Sequence, residues 1–445
     1  MTLVVEDAYI APVVGAEIPR GHLVIEGDRI AAVGPGPAAA PPGAERIDAR
    51  GCLVTPGLVN THHHLYQWAY QGVAPQGTLF QWLVASYPRW ARMDAEVVHG
   101  AARAALGWLA LSGCTTSTDH HYVFPKGRGD LFAATVEAAR EVGLRFHPCR
   151  GSMDLGESGG GLPPDDVVED IDTIMAHTEE VIDAYHDPSF SSTLRVAVAP
   201  CSPFSVSADL MRACADLARA KGVRLHTHLA ETLDEEEHCR ERMGMTPVDY
   251  LDGLGWLGPD VWLAHCVHLS DADVRRLADT GTGVAHCPSS NGRLGAGVAR
   301  SAELLRAGVP VGLGVDGAAS AELTPLAGEV RMALLMQRAR YGPQALTARE
   351  ALAMGTIGGA ACLGREAEIG SLEPGKLADV AVWRMDGFHA AVDDPVVAFA
   401  HGGRTPPLAR LLVGGRTVVA DDRLVTTGED ALALAGAAAH RRALR

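Results

Sequence analysis

Short apolar runs alternate with longer amphipathic stretches over most of this 445-residue chain, from about Gly57 to about Gly364. The apolar runs predict strands at Gly57–Asn60, Thr115–Asp119, Arg145–Cys149, Arg195–Ala199, Arg224–His228, Val261–His265, Gly283–His286 and Val311–Val315. Between them the helical period recurs, as in Ala95–Leu111, Leu131–Val142, Ala208–Ala220 and Asp271–Ala278. Eight strands that alternate with helices predict an α/β fold, a (β/α)8 barrel of the TIM type.

The two ends of the chain have a different pattern, in which short β-type runs are separated by turns. The N-terminal runs are Leu3–Val5, Leu23–Ile25 and Ile30–Val33, and the C-terminal runs are Asp379–Trp383, Leu411–Val413 and Val418–Ala420. We therefore predict a small β-sandwich domain built jointly from residues 1–56 and 366–445. The barrel domain is then formed by residues 57–365.

Charge and cysteine content narrow the range of partners and the compartment. The formal net charge of −16 disfavours nucleic acid and anionic membranes as partners. The nine cysteines are scattered and contain no CxxC pair, which predicts neither a disulfide framework nor a thiolate zinc site and favours a reducing cytoplasm. The N-terminal sequence MTLVVEDAYI predicts no signal peptide, and no apolar stretch is long enough to span a bilayer.

Two histidines follow the first predicted barrel strand, in the segment Asn60-Thr61-His62-His63-His64. Because side chains alternate along a strand, His62 and His64 point the same way and His63 points away. Two imidazoles at positions i and i+2 can bind one divalent metal. An HxH pair is weak evidence when it stands alone.

The fifth predicted strand ends in His226-Thr227-His228 and is followed by Glu231. Either histidine can supply a third metal ligand, since both lie on the same face. A carboxylate three residues after His228 can reach a metal-bound water and act as general base. The alternative is a buried histidine on a strand, followed by a glutamate at a helix N-terminus.

Polar residues also end the sixth and eighth predicted strands. His265 can polarise the bond that is broken or transfer a proton, or it can be a hydrogen-bonded structural histidine. Asp316 follows the apolar run Val311–Val315, where metal ligation or a helix N-cap would compensate its burial. Four such motifs in order, each at the end of a barrel strand, are far more specific than any one of them.

These motifs resemble the amidohydrolase superfamily, in its cytosine- and guanine-deaminase-like branch, over essentially the whole chain. The branch that includes 8-oxoguanine deaminases and triazine or hydroxyatrazine hydrolases is the most similar. The segments that carry this resemblance are 60–67, 119–122, 150–153, 199–205 and 286–291, together with Gly-Ser-Leu-Glu-Pro-Gly-Lys-Leu-Ala-Asp-Val at 370–380.

The resemblance implies a metal site, catalytic residues and substrate contacts. It implies one divalent ion, Zn²⁺ or alternatively Fe²⁺, because the fourth strand is followed by Pro200-Cys201-Ser202 with no lysine to bridge a second metal. The implied metal ligands are His62, His64, His228 and Asp316; the implied catalytic residues are Glu231, His265 and Asp316; the implied substrate contacts are Gln67, Trp82 and Cys201. A homo-oligomer is also implied.

Two loops depart from the pattern of that branch. Gly292 stands where a larger residue is expected, and residues 317–325 lack the expected Asn-Asp pair after Asp316. The expected reaction is the hydrolytic removal of an amino group from a nitrogen heterocycle such as 8-oxoguanine or a related purine or pterin. The alternatives are a hydrolase on the same scaffold that releases an alkylamine or chloride from a triazine, and a non-catalytic relative. His120 and His121 are candidates for partners of a ligand or for purely structural roles.

Overall fold

A computed structural model describes residues 2–39 and 41–444. Its strands are β1 (Thr2–Ile10), β2 (Ile18–Glu26), β3 (Arg29–Pro35), β4 (Glu45–Asp48), β5 (Cys52–Pro56), β6 (Leu58–Asn60), β7 (Cys114–His121), β8 (Arg145–Ser152), β9 (Ala197–Pro200), β10 (Arg224–Leu229), β11 (Val261–His265), β12 (Gly283–His286), β13 (Val311–Leu313), β14 (Val380–Arg384), β15 (Leu408–Val413), β16 (Arg416–Ala420) and β17 (Arg423–Leu424).

The helices alternate with the barrel strands and also follow them. They are α1 (Leu79–Trp90), α2 (Ala95–Leu111), α3 (Leu131–Val142), α4 (Ile171–Tyr185), α5 (Ala208–Lys221), α6 (Leu233–Met243), α7 (Pro247–Gly253), α8 (Asp271–Thr280), α9 (Pro288–Arg293), α10 (Ser301–Arg306), α11 (Leu326–Tyr341), α12 (Ala348–Ala353), α13 (Gly359–Cys362), α14 (Pro395–His401) and α15 (Glu429–Ala443). A 3-10 helix covers Leu65–Tyr70.

Strands β6 to β13 form a closed parallel barrel, which confirms the predicted (β/α)8 fold. The barrel closes where Leu313 of β13 pairs with Asn60 of β6. Asn60 also fixes this junction through its side chain, since its Nδ2 donates to Ser117 Oγ at 3.0 Å and its Oδ1 accepts from Val315 N at 3.0 Å. These bonds link the end of the first barrel strand to the middle of the second and to the residues that follow the eighth.

Most predicted boundaries differ from the observed ones by only a few residues. The helices α2 and α3 have the predicted bounds, and each begins at an aspartate whose side chain accepts a backbone N–H of the first turn. The predicted strand Arg195–Ala199 is shifted to Ala197–Pro200, and the predicted strand Val311–Val315 ends at Leu313. The chain leaves the β conformation before Asp316, whose φ is +60°.

The second sheet comes from both ends of the chain, as predicted. Its path is β17-β16-β15-β14-β5-β1-β2-β3, with β4 paired to β1. Apolar residues of β1, β2, β5, β14 and β15 share a separate core. A buried ion pair joins this sheet to the barrel, since Arg145 Nε and Nη2 of β8 donate to Asp379 at 3.0 and 2.9 Å.

The final helix, α15, was not predicted and packs against α2 and the 3-10 helix. Small residues allow the close approach: a Cβ at Gly436 would lie 2.6 Å from the Cβ of Ala104 and from Trp68 Nε1. His440 Nδ1 donates to the carbonyl of Ala69 at 2.8 Å. Within the described residues, no helix combines the length and apolarity needed to cross a membrane.

Candidate active site

Polar side chains meet where β6, β10, β11 and β13 end, at the carboxyl end of the barrel. Four residues at these ends have left-handed backbone, with φ of +50° at Ala230, +72° at His265, +47° at Cys266 and +60° at Asp316. Such conformations are strained for residues other than glycine, and they cluster at functional sites. The turn at Ala230 precedes Glu231, and the other turns contain His265 and Asp316. The side chains of Glu231, His265 and Asp316 all line the mouth of the barrel.

A chain of hydrogen bonds fixes the tautomer of His62. The Nδ1 of His226 lies 2.8 Å from the carbonyl oxygen of Trp262, so this nitrogen donates and the Nε2 of His226 is an acceptor. The Nδ1 of His62 lies 2.8 Å from that Nε2 and therefore carries its proton. The remaining lone pair of His62 is on Nε2, which is buried and has no hydrogen-bond partner.

Backbone carbonyls fix the tautomers of His64 and His228 in the same way. The Nδ1 of His64 donates to the carbonyl of His120 at 2.6 Å, and the Nδ1 of His228 donates to the carbonyl of Cys201 at 2.7 Å. Both Nε2 atoms are left as acceptors, and they face each other at 3.2 Å. Two lone pairs at that distance repel each other unless a cation lies between them.

Asp316 completes this group through one carboxylate oxygen. Its Oδ1 lies 3.5 Å from His62 Nε2 and 3.3 Å from His64 Nε2. Its Oδ2 is turned away and accepts the hydroxyls of Ser290 at 2.5 Å and Ser320 at 3.0 Å.

The arrangement fits a divalent cation. Three imidazole lone pairs and one carboxylate oxygen converge, and none of these atoms has a proton to offer another. Burial lowers the pKa of His62 and His228 well below the ordinary value and lowers that of His64, so all three are neutral ligands at neutral pH. Two groups with metal-ligand spacing, one containing His62, His64, His120 and His228 and the other His62, His265 and Asp316, share His62 and mark a single centre.

Glu231 and His265 lie beside this centre, with Glu231 Oε2 3.7 Å from His265 Nε2. The Nδ1 of His265 donates to Asn291 Oδ1 at 3.0 Å, so its Nε2 is an acceptor directed towards Glu231. Burial, and then the charge of Asp316, raise the pKa of Glu231 well above the ordinary carboxyl value. A glutamate whose pKa is raised in this way can act both as general base and as general acid.

A small cavity opens above these residues and contacts eight of the nine residues singled out in the sequence. His62 is the exception, because it lies behind the cavity wall. Gln67 Nε2 and Trp82 Nε1 are buried without a hydrogen-bond partner. The Cys201 thiol lines the same cavity, and burial raises its pKa to about 12, so it is a neutral apolar wall group. Six further residues complete the wall: Leu79, Leu83, Tyr122, Phe204, Leu294 and Ser320.

His120 acts on the site through its backbone and its ring, since the Nε2 of its own imidazole donates to Ala199 O at 2.8 Å. Its carbonyl accepts from His64, and its ring stacks on His228 with centroids 4.7 Å apart. His121 points elsewhere and donates from Nε2 to Val123 O at 3.0 Å. His226, which the sequence left open as a ligand, lies behind His62 and orients it.

The two unusual loops contact the site in different ways. A Cβ at Gly317 would lie 1.8 Å from Oε1 of Gln67, so the absence of a side chain lets the glutamine amide occupy the cavity wall. A Cβ at Gly292 would meet the flexible methyl end of Met336 at 2.8 Å, away from the cavity. The adjacent Ser290 and Asn291 support Asp316 and His265, and the sequence signalled them only as part of the resemblance segment His286–Asn291.

Comparison with known proteins agrees with this architecture. The chain is 46% identical over 405 residues to an 8-oxoguanine deaminase of Pseudomonas aeruginosa, covering 90% of each chain. It is 39% identical to an isoxanthopterin deaminase from an unknown prokaryotic organism, covering 97% of this chain and 92% of the relative. The structure of an atrazine chlorohydrolase from Arthrobacter aurescens TC1 in complex with zinc matches with a TM-score of 0.94 at 34% identity, covering 98% of this chain and 100% of the other. Residues 53–418 match the model of the amidohydrolase family, and the chain belongs to this family.

Proposed function

We propose that this chain is a hydrolytic deaminase that removes an exocyclic amino group from an oxo-substituted bicyclic heterocycle, with 8-oxoguanine and related purines or pterins as the substrate class. One observation carries the proposal: three neutral imidazoles and Asp316 converge beside Glu231, a carboxyl with a raised pKa, on the floor of a small cavity. The deaminase relatives act on heterocycles of this class.

His62, His64, His228 and Asp316 would hold one divalent ion, for which Zn²⁺ is the first choice and Fe²⁺ the alternative. A bound ion of this type supplies Lewis acidity that lowers the pKa of a water molecule towards neutrality. The hydrogen bonds from His62 to His226, from His64 to His120 and from His228 to Cys201 keep the three Nε2 lone pairs directed at the ion.

Glu231 takes one proton from the attacking water and delivers it to the ring nitrogen beside the amino-bearing carbon. The Nε2 of His265 accepts a hydrogen bond from the hydroxyl of the tetrahedral adduct, because its Nδ1 proton is committed to Asn291. Glu231, with Asp316 sharing the task, then moves the hydroxyl proton to the leaving amine. The C–N bond breaks, ammonia departs and the ring carbon becomes a carbonyl, so that one water is consumed for each ammonia released.

The polar groups of the cavity lining support a flat, oxo-substituted base as substrate. The unpartnered N–H groups of Gln67 and Trp82 require hydrogen-bond acceptors, which the ring carbonyls of an oxopurine or pterin supply.

We also propose that the protein is a homo-oligomer and that it is located in the cytoplasm. The nine cysteines are all buried and unbridged, which is consistent with a reducing compartment.

The test is ammonia release from zinc-loaded protein with 8-oxoguanine, guanine, isoxanthopterin, and amino- or chloro-substituted triazines. We expect release from the oxo-bicycles, and a loss of about 1,000-fold or more in Glu231→Gln, since proton transfer by a positioned group contributes about 100- to 10,000-fold. Glu237→Gln, an exposed glutamate on α6, is the matched control. Chloride or alkylamine release from triazines without ammonia from any bicycle would replace the proposal by the triazine hydrolase alternative.

A further inference from the structure

Glu235 is a buried carboxylate close to the active site that the reaction described above does not use. It lies in the first turn of α6, three residues after Thr232, the residue that precedes the helix. A glutamate at this position usually accepts the backbone N–H of the residue that precedes the helix. Here Oε1 accepts from Ala230 N and Oε2 accepts from Glu231 N, each at 2.9 Å.

These two bonds hold the turn that places Glu231. Ala230 has a left-handed φ of +50°, a conformation that alanine adopts only when its surroundings enforce it. On the opposite side of the turn, Leu229 O accepts from Cys266 N at 3.0 Å and Ala230 O accepts from Val267 N at 2.9 Å. The turn is therefore held between the Glu235 carboxylate and the segment that follows His265.

We infer that Glu235 is a positioning residue, which fixes the backbone of Glu231 and thereby sets the distance of the Glu231 carboxylate from His265 and from the metal site. The inference rests on the proposed role of Glu231 as the proton-transfer group. Both oxygens of Glu235 are used on the backbone, and the side chain is fully buried. An aspartate, with a shorter side chain, or an amide, with one oxygen, cannot accept both N–H groups from this position.

The experiment measures zinc content, kcat and KM for ammonia release from 8-oxoguanine in Glu235→Ala and Glu235→Gln, with Glu237→Ala of the same helix as control. We expect Glu235→Ala to lower kcat about 100-fold, the effect of a displacement of about 1 Å at a reacting group, while KM and the zinc content per chain stay close to wild type. Glu235→Gln should recover part of that loss, because its amide oxygen still accepts one N–H. It also serves as the test if the alanine variant does not fold.

A double-mutant comparison separates positioning from a general structural role. If Glu235 acts only through Glu231, Glu231→Gln/Glu235→Ala will be no slower than Glu231→Gln alone. A further loss of kcat in the double variant, or a loss of zinc in either Glu235 variant, would overturn the inference. Full activity of Glu235→Ala beside an inactive Glu231→Gln overturns this inference alone, whereas full activity of Glu231→Gln overturns the proposed function as well.

Discussion

Replacing His226 by phenylalanine tests whether the hydrogen bond from His62 to His226 governs metal binding. The phenyl ring keeps the packing on Trp262, where the two rings are now stacked with centroids 4.4 Å apart. It removes the acceptor for the Nδ1 proton of His62, which lies 2.8 Å from His226 Nε2. His62 then either buries an unpaired N–H or moves its proton to Nε2, the atom that faces the metal site.

Either outcome costs about 1–3 kcal/mol, the penalty for a buried donor without a partner. The zinc affinity should therefore fall about 10- to 100-fold, as is usual when the partner of a metal-bound histidine is removed. Competition with a chelating dye gives the dissociation constant, and activity measured against free zinc gives the concentration that restores turnover. His121→Phe is the matched control, since His121 is equally buried but bonds to Val123. A zinc affinity in His226→Phe within about twofold of wild type would refute the reasoning on tautomers.

The remaining predictions concern the substrate wall and acidification. Gly317→Ala should raise KM for 8-oxoguanine about tenfold, because the new Cβ would lie 1.8 Å from Oε1 of Gln67 and displace the amide that we propose as a substrate contact, whereas Gly292→Ala should leave KM unchanged. If Gly317→Ala has a normal KM, the amide of Gln67 does not contact the substrate. The metal-free protein should lose stability as the pH falls below 6.5, the ordinary histidine value. Burial lowers the pKa of nine buried histidines, so the unfolded chain takes up these protons before the folded chain does. The contribution of these histidines to the free energy of unfolding is complete above their unfolded-state pKa and is lost as the pH falls below it. The raised pKa values of four buried carboxyls act in the opposite direction, but these groups are fewer. Urea unfolding at about pH 7, about pH 6 and about pH 5 gives the sign, and a free energy of unfolding that rises on acidification would show that the carboxyls dominate.

The barrel could be predicted because its strands are apolar runs and its helices have a clear period. The observed α2, Ala95–Leu111, has the predicted bounds, since Asp94 begins it and Ser112 and Gly113 follow it. The helix α15 was missed because it is rich in alanine and has only a narrow buried face. That face packs against α2. The position of α15 depends on a partner more than 300 residues earlier in the chain. The spacing of apolar residues within α15 carries no information about that partner.

The site was predictable where a residue type carries its own chemistry. His62, His64, His228 and Asp316 stand at strand ends, so their convergence follows once the barrel is inferred. The residues that support the site were harder to predict from the sequence. Their roles depend on which groups they contact in the folded chain, and not on their residue type. Ser290 and Asn291 look like loop residues in the sequence, and Glu235 looks like one of several acidic residues at the start of a surface helix. Only the folded chain shows that these groups are bonded to residues of the candidate active site.

The position of α15 has a consequence for how the molecule assembles. His440 binds the carbonyl of Ala69, 371 residues earlier in the sequence, and Ala69 belongs to the 3-10 helix that carries Gln67. The terminal sheet likewise joins β5 to β14, so Trp383 Nε1 donates to Thr55 Oγ1 across 328 residues. Contacts of such long sequence separation slow folding, because closing the long intervening loop costs conformational entropy before the contact can stabilise the chain. We therefore expect the proposed substrate wall to be completed only after α15 has been synthesised, when the candidate metal-ligand histidines are already part of the nascent chain.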